Sequence, residues 1–124
     1  MGLCNINMFN TSLIDIILSN SIMCGADLRT VNLSQVSCYM IDLENVNMSY
    51  QDLSNIDFTK ASIINCNLTG ADLRKSNLTH INLSDANLSD ADLSGSNLSG
   101  ADLRGANLNN TNLNGAILRN AQFT

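Results

Sequence analysis

The chain has 124 residues and a formal net charge of −5, from eleven acidic and six basic residues. This acidic balance argues against binding to nucleic-acid phosphates. Apolar residues make up 44% of the chain but never form a long uninterrupted run, so no transmembrane segment is expected. Residues 1–20 lack the basic start and apolar stretch of a signal peptide. We therefore expect no membrane association, a cytoplasmic location and a single domain over residues 1–124.

A five-residue unit repeats along the chain. From residue 3 to residue 123 every fifth position, here called the centre of a unit, is Leu, Met, Ile or Phe, with Cys38 as the exception. On an α-helix, residues five apart would spread around the whole cylinder, and on one strand they would alternate between the two faces. A chain that bends once per unit places all centres on one inner surface, so the spacing predicts a solenoid.

The centres define a predicted core ladder. The residue two places before each centre is mostly small or β-branched, as in Val31, Ala71 and Ala91, and it should also face inward. Asn or Asp usually precedes the centre, and these residues favour turns. The predicted ladder comprises Leu28, Leu33, Leu43, Leu53, Phe58, Leu68, Leu73, Leu78, Leu83, Leu88, Leu93, Leu98, Leu103, Leu108, Leu113 and Leu118.

Tandem units of the form Ala-Asn/Asp-Leu followed by two further residues resemble the pentapeptide-repeat family. The resemblance is cleanest from Ala61 to Asn120. It implies an all-β fold, a right-handed quadrilateral parallel β-helix with four units per coil and about six coils. The four sides are not visible in the residue spacing, because the GADLR copies at Gly25, Gly70 and Gly100 begin 45 and 30 residues apart.

Residues 1–50 are degenerate repeats in which apolar residues occupy slots that should face outward. These residues are Phe9, Ile14, Ile17, Ile22, Tyr39, Met40 and Tyr50. They could cover the open end of the core around an irregular first coil. Alternatively, they form a surface for a partner or for self-association, which exposed apolar patches often mark.

The four cysteines show no metal-binding or redox spacing. Cys38 and Cys66 take inward slots and should behave as small apolar residues. Cys4 and Cys24 should point outward from neighbouring coils, where a disulfide is geometrically feasible. Because a cytosolic location is expected, we predict that this pair is reduced.

Residues 51–124 are regular repeats with few unusual side chains. Gln51 is a polar residue in an inward slot, and Asp52, Asp72 and Asp92 should stack on one side. The turn-forming role of Asp accounts for this column without a divalent cation. His80 lies at an outward corner with no nucleophile placed to use it, so we predict no catalytic, metal or cofactor site.

The last units leave the C-terminal end of the predicted core without a covering layer. The chain stops in phase after Phe123, which leaves Leu113, Leu118 and Phe123 in the final layer. We expect two molecules to stack end to end through this layer as a homodimer, or the chain to be a fragment of a longer protein.

Three functions are compatible with these features. The first is a non-enzymatic scaffold for an unknown protein partner. The second, suggested by the resemblance, is an acidic mimic of DNA that binds gyrase or topoisomerase, as quinolone-resistance members of the family do. The third is the carrier domain of a bacterial effector.

Overall fold

The computed structural model describes residues 2–8, 13, 17–34 and 36–124. These residues form isolated parallel β-bridges, and no helix or longer strand is found among them. The bridges join residues twenty apart, from Gly2 and Ile22 to Asp102 and Gln122. The chain therefore returns beside itself every twenty residues, and four five-residue units complete a coil. At this period 124 residues make about six coils, as predicted.

We number the units of each coil as sides 1 to 4. Their centres are residues 3, 8, 13 and 18 in the first coil and every twentieth residue thereafter. The second coil spans residues 21–40 and the third spans residues 41–60. Right-handed winding of the coils stays a prediction.

Backbone hydrogen bonds between coils hold the stack together. The N–H of Leu73 donates to the carbonyl of Asp92 on the next coil (2.7 Å), and the N–H of Lys75 donates to Ser94 (3.0 Å). The N–H of Asp72 donates in the opposite direction, to the previous coil. Most units repeat this pattern, which replaces the pairing between long strands and requires an N–H at each of these positions.

The corners among the described residues are tight turns whose residues suit the backbone. The Leu73 carbonyl accepts from the N–H of Ser76 (3.2 Å), and Lys75 between them has a φ of 57°. A positive φ at this position is what a type II turn requires, and Asn, Asp and Gly hold most such corners. Asp72 Oδ1 accepts from the N–H of Arg74 (3.0 Å). Asp or Asn before the centre thus satisfies a donor that the coils leave unpaired.

The centres and the residues two places before them form one continuous core. The members of the predicted core ladder from Leu28 to Leu103 are buried, whereas Leu108, Leu113 and Leu118 are partly buried and Phe123 is exposed. Cys38 and Cys66 are buried within the same core.

The buried serines Ser76 and Ser96 find hydrogen-bond acceptors within their own coils. Ser76 Oγ donates to the carbonyl of Leu73 and Ser96 Oγ to that of Leu93, both at 2.7 Å. In the part of the chain that the structure describes, no buried side-chain nitrogen or oxygen lacks a hydrogen-bond partner. The narrow core therefore tolerates small hydroxyls because the adjacent turn supplies an acceptor.

Candidate interaction sites

Among the described residues, the ladder opens between residues 31–34, 36 and 37 of the second coil and residues 51–57 of the third. Among bridge positions with both partners described, Asn32 does not pair with Asp52, and Ser37 does not pair with Asp57. Sides 1 and 2 stay closed between the same coils, for example through the bridge of Asp27 to Asn47. We call this gap on sides 3 and 4 the open seam.

Gln51 explains why the seam opens where it does. Its side chain is buried, and Nε2 donates to the carbonyl of Val31 at 2.9 Å and also to that of Leu28. By the pattern of the closed coils, the Val31 carbonyl would accept the N–H of Asp52. The Gln51 amide therefore replaces a backbone donor between the coils. The same slot on the next two coils holds Ala71 and Ala91, which have no polar group to insert.

The open seam forms a cleft of about 570 Å³. Its lining combines apolar side chains from the core with polar ones at the mouth: Leu33, Val36, Leu53 and Ile56, then Ser34, Ser37, Asp52, Ser54, Asn55 and Asp57. An adjoining hollow of about 340 Å³ shares Ser34 and Asp52 with it and extends to Arg29 and Gln51. The volume of the main cleft falls within the roughly 300–1,000 Å³ of typical ligand pockets.

The sequence singled out Gln51 and Asp52 but not the seam itself. Ser34, Ser37 and Asp57 look like ordinary repeat residues, and only the structure shows them facing a gap. The signal in the sequence was Gln51, because a long amide in a slot mostly filled by small or β-branched residues must find hydrogen-bond partners inside the core.

Carboxylates on the outer surface divide into paired and unpaired groups. Asp27, Asp72 and Asp102 each form an ion pair of 2.6 Å with the Arg two residues later. Hydrogen bonds from these guanidinium groups lower the pKa of each of the three carboxyls. Bridges stack Asp52 on Asp72 and Asp72 on Asp92, as predicted. Arg74 supplies the positive charge that offsets this column.

The apolar residues of the first half do not form one continuous patch. Ile17, Ile22, Tyr39 and Met40 are exposed around the edge where side 4 meets side 1, and Ile17 is 74% exposed. We call these four residues the apolar corner. Tyr50 is 78% exposed but lies on the opposite edge, between sides 2 and 3. Phe9 and Ile14, which we also predicted for this surface, lie outside the described residues.

The ring of Tyr50 lies over Gly70 on the next coil. A Cβ added to Gly70 would come within 2.5 Å of Tyr50 Cε1, and Gly70 has a φ of 65°. A side chain at residue 70 would therefore require the exposed Tyr50 ring to move, whereas the positive φ alone does not demand glycine, because Lys75 has a φ of 57° at the next corner.

Cys4 and Cys24 form a disulfide, so the prediction of a reduced pair is wrong. Their Cα atoms lie 4.7 Å apart, because residues twenty apart occupy the same slot on neighbouring coils. The prediction assumed a cytosolic redox environment, whereas stacking brings the two sulfurs within bonding reach. The bond links side 1 of the first coil to side 1 of the second.

No catalytic centre emerges around His80. It occupies a corner with a φ of 55°, and its ring lies over Gly100 on the next coil. Within the described ranges, no group of three or more His, Cys, Asp or Glu side chains is placed to hold a metal ion. The same part of the chain contains no helix that is long and apolar enough to cross a membrane.

The chain belongs to the pentapeptide-repeat family. The family model, described as pentapeptide repeats, matches residues 11–49, 41–79, 52–90 and 81–120 with eight copies in total. A search of curated proteins found no significant match.

Solved structures of other pentapeptide-repeat proteins are similar to this chain. HetL from the cyanobacterium Nostoc sp. strain PCC 7120, described as involved in heterocyst differentiation regulation, is 34% identical with a TM-score of 0.64. The match covers 98% of this chain and 59% of HetL, so the chain spans less than two thirds of that protein.

Two trypsin-treated forms of QnrB1, a plasmid-mediated fluoroquinolone resistance protein, also match. They are 21% and 20% identical, with TM-scores of 0.53 and 0.54. The matches cover 98% and 100% of this chain, and 70% and 84% of the QnrB1 chains. At this identity the likeness concerns the fold.

Proposed function

We propose that this protein is a non-enzymatic scaffold, a right-handed four-sided β-helix whose outer surface binds another protein. The observation that carries the proposal is the apolar corner. Ile17, Ile22, Tyr39 and Met40 are exposed together, whereas the later coils place mostly polar residues in the equivalent slots, with exposed Ile117 as an exception. Exposed apolar patches on an otherwise polar surface usually mark interaction sites.

The scaffold proposal is tested by charging the apolar corner. The double variant Ile17→Lys with Met40→Lys should lose capture of a partner from an extract of the source cell, while the wild type retains it. His80→Lys is the matched control, since His80 occupies the slot of Met40 two coils later on the same side. Equal capture by all three proteins would reject the apolar corner as the binding surface.

A second candidate is competition with DNA for a basic groove on gyrase or topoisomerase. The net charge of −5 and the stacked Asp52, Asp72 and Asp92 favour it, since a column of carboxylates can resemble a row of phosphates. The pairing of Asp72 with Arg74 weakens that resemblance. A supercoiling assay with purified gyrase decides the matter, because a mimic must inhibit the enzyme or protect it from quinolones.

The cellular setting of the scaffold stays a prediction. A cytoplasmic protein and the carrier domain of a bacterial effector are both compatible with a polar rod. The Cys4–Cys24 disulfide is an argument against a cytoplasmic location, because disulfides persist mainly in oxidising compartments. Alkylation of the protein directly in intact source cells would show which redox state it has there.

A further inference from the structure

The open seam leaves backbone groups without partners. On the closed sides of the same interface, the N–H groups of Met23, Leu28 and Asp42 donate to the neighbouring coil. In the part of the chain that the structure describes, the N–H groups of Leu33, Cys38, Asp52 and Asp57 have no backbone acceptor. The carbonyls of Val36, Asp52 and Asp57 likewise have no backbone donor there. Two adjacent sides of one coil interface thus present the donors and acceptors of a sheet edge.

The surroundings of these groups favour an extended peptide as the occupant. A peptide backbone supplies donors and acceptors in alternation, which is what unpaired ladder positions need, and strand addition to exposed edges is a common recognition mode. The apolar residues Leu33, Val36, Leu53 and Ile56 also line the cleft, with 1–7% of their surfaces exposed. The cleft of about 570 Å³ has room for a short segment.

The negative charge at the cleft favours a peptide that carries basic side chains. Asp52 and Asp57 line the cleft, and the Oδ1 atoms of both accept hydrogen bonds from residues of their own units. The ion pairs found among the described residues involve Asp27, Asp72 and Asp102 instead. Two carboxylates without an ion-pair partner at the mouth of the cleft favour lysine or arginine on the peptide.

We propose that the open seam binds a short, extended, basic peptide segment of a partner protein. The peptide backbone pairs with Leu33 and Asp52 on side 3 or with Cys38 and Asp57 on side 4. Its basic side chains contact Asp52 and Asp57. The inference rests on the proposed scaffold function and specifies the chemistry of the partner.

The probe is a five-residue peptide of alternating valine and lysine, acetylated and amidated at its ends. Titration into the disulfide-bonded protein should give saturable NMR shifts at the amides of Leu33, Cys38, Asp52 and Asp57. The same peptide with glutamate in place of lysine should bind at least about tenfold more weakly. No shift at these amides up to millimolar peptide would overturn the proposal.

The two carboxylates can be tested against a matched control. Asp52→Asn with Asp57→Asn should weaken binding of the lysine peptide by about tenfold, the effect of two exposed ion pairs. Asp92→Asn is the control, since Asp92 occupies the slot of Asp52 two coils later, where the ladder is closed by its bridge to Asn112. Equal losses in both proteins would contradict a site at the seam.

Gln51→Ala provides an independent test of the opening. The variant removes the amide that occupies the Val31 carbonyl, so the coils should close, amide exchange at Asp52 should slow, and peptide binding should be lost. Undiminished peptide binding by Gln51→Ala would contradict the proposal. If this variant fails to fold, the Asp52 and Asp57 comparison decides alone.

The outcome is separable from that of the scaffold proposal. The apolar corner lies around the edge where side 4 meets side 1, and its variants replace none of the residues that line the cleft. If the apolar corner captures a partner but the seam binds no peptide, the peptide proposal is rejected and the scaffold proposal remains.

Discussion

Leu88 offers the sharpest test of the core ladder. Its side chain is fully buried on side 2, between Leu68 and Leu108 in the same column. Leu88→Ala removes buried apolar surface and leaves a cavity between stacked neighbours, a change that typically costs about 2–5 kcal/mol. We expect about 3 kcal/mol here, because the coils above and below restrict how far the site can collapse.

Leu88→Asp should be more severe than Leu88→Ala. It loses the same apolar contacts and also places a carboxylate in a column with no cation, so the loss should exceed about 4 kcal/mol. A chain of 124 residues has a total stability of roughly 6–19 kcal/mol at typical values per residue. The substitution should therefore remove a large fraction of the stability, or prevent folding if the total lies at the low end.

Urea unfolding followed by circular dichroism measures both variants. Asn109→Asp is the control, because it adds the same charge at an exposed slot on the next coil and should change the stability by less than about 0.5 kcal/mol. Equal urea midpoints for Leu88→Asp and Asn109→Asp would show that residue 88 does not face inward. The five-residue register would then be wrong.

Four further predictions concern the disulfide, the buried thiols, a surface ion pair and the last coil. Reduction of the Cys4–Cys24 disulfide, which closes a loop of about twenty residues, should lower the free energy of unfolding by about 3 kcal/mol. Thermal melting with and without a phosphine reductant measures the loss of stability. The double variant Cys4→Ser with Cys24→Ser is the control and should not respond to the reductant. Identical melting of the oxidised and reduced wild type would contradict the prediction. Burial raises the pKa of both Cys38 and Cys66 to about 12, so these thiols should react with thiol reagents only after unfolding. The Arg74 hydrogen bond lowers the pKa of Asp72 below its ordinary value of 3.8, so this pair contributes stability above that pH and loses it as the pH falls further. The difference in urea midpoint between wild type and Arg74→Gln should therefore shrink from pH 7 to pH 3, and a constant difference would refute the link. If two molecules abut through Leu113, Leu118 and Phe123, Phe123→Lys should weaken association in light scattering, and a wild-type mass near the 13.4 kDa monomer would reject the dimer.

Side-chain patterning was enough to predict which residues form the core. A period of five is incompatible with a helix face or a flat strand, so a bend in every unit follows from geometry alone. The structure places Leu28 to Leu103 of the predicted ladder in the interior, with Cys38 and Cys66 beside them. The inward position of Gln51 also followed from the register, although its consequence did not.

The outer surface was harder to predict. Slots were assigned correctly as outward for Ile17 and Tyr50, but the residues of a five-residue repeat do not reveal which side of the coil they share. The twenty-residue return, which the family resemblance implied, brings Cys4 onto Cys24 and separates Tyr50 from the apolar corner.

The sequence by itself therefore determined the inward and outward faces of every unit, because apolar residues must leave water and the repeat offers them one inner surface. The number of units per coil depends on backbone hydrogen bonds between coils. Because any residue except proline can make these bonds, the types of side chain do not reveal that number. The open seam depends on competition between the Gln51 amide and the N–H of Asp52 for one carbonyl. That competition arises only when residues twenty apart are stacked, and so only the tertiary structure decided it.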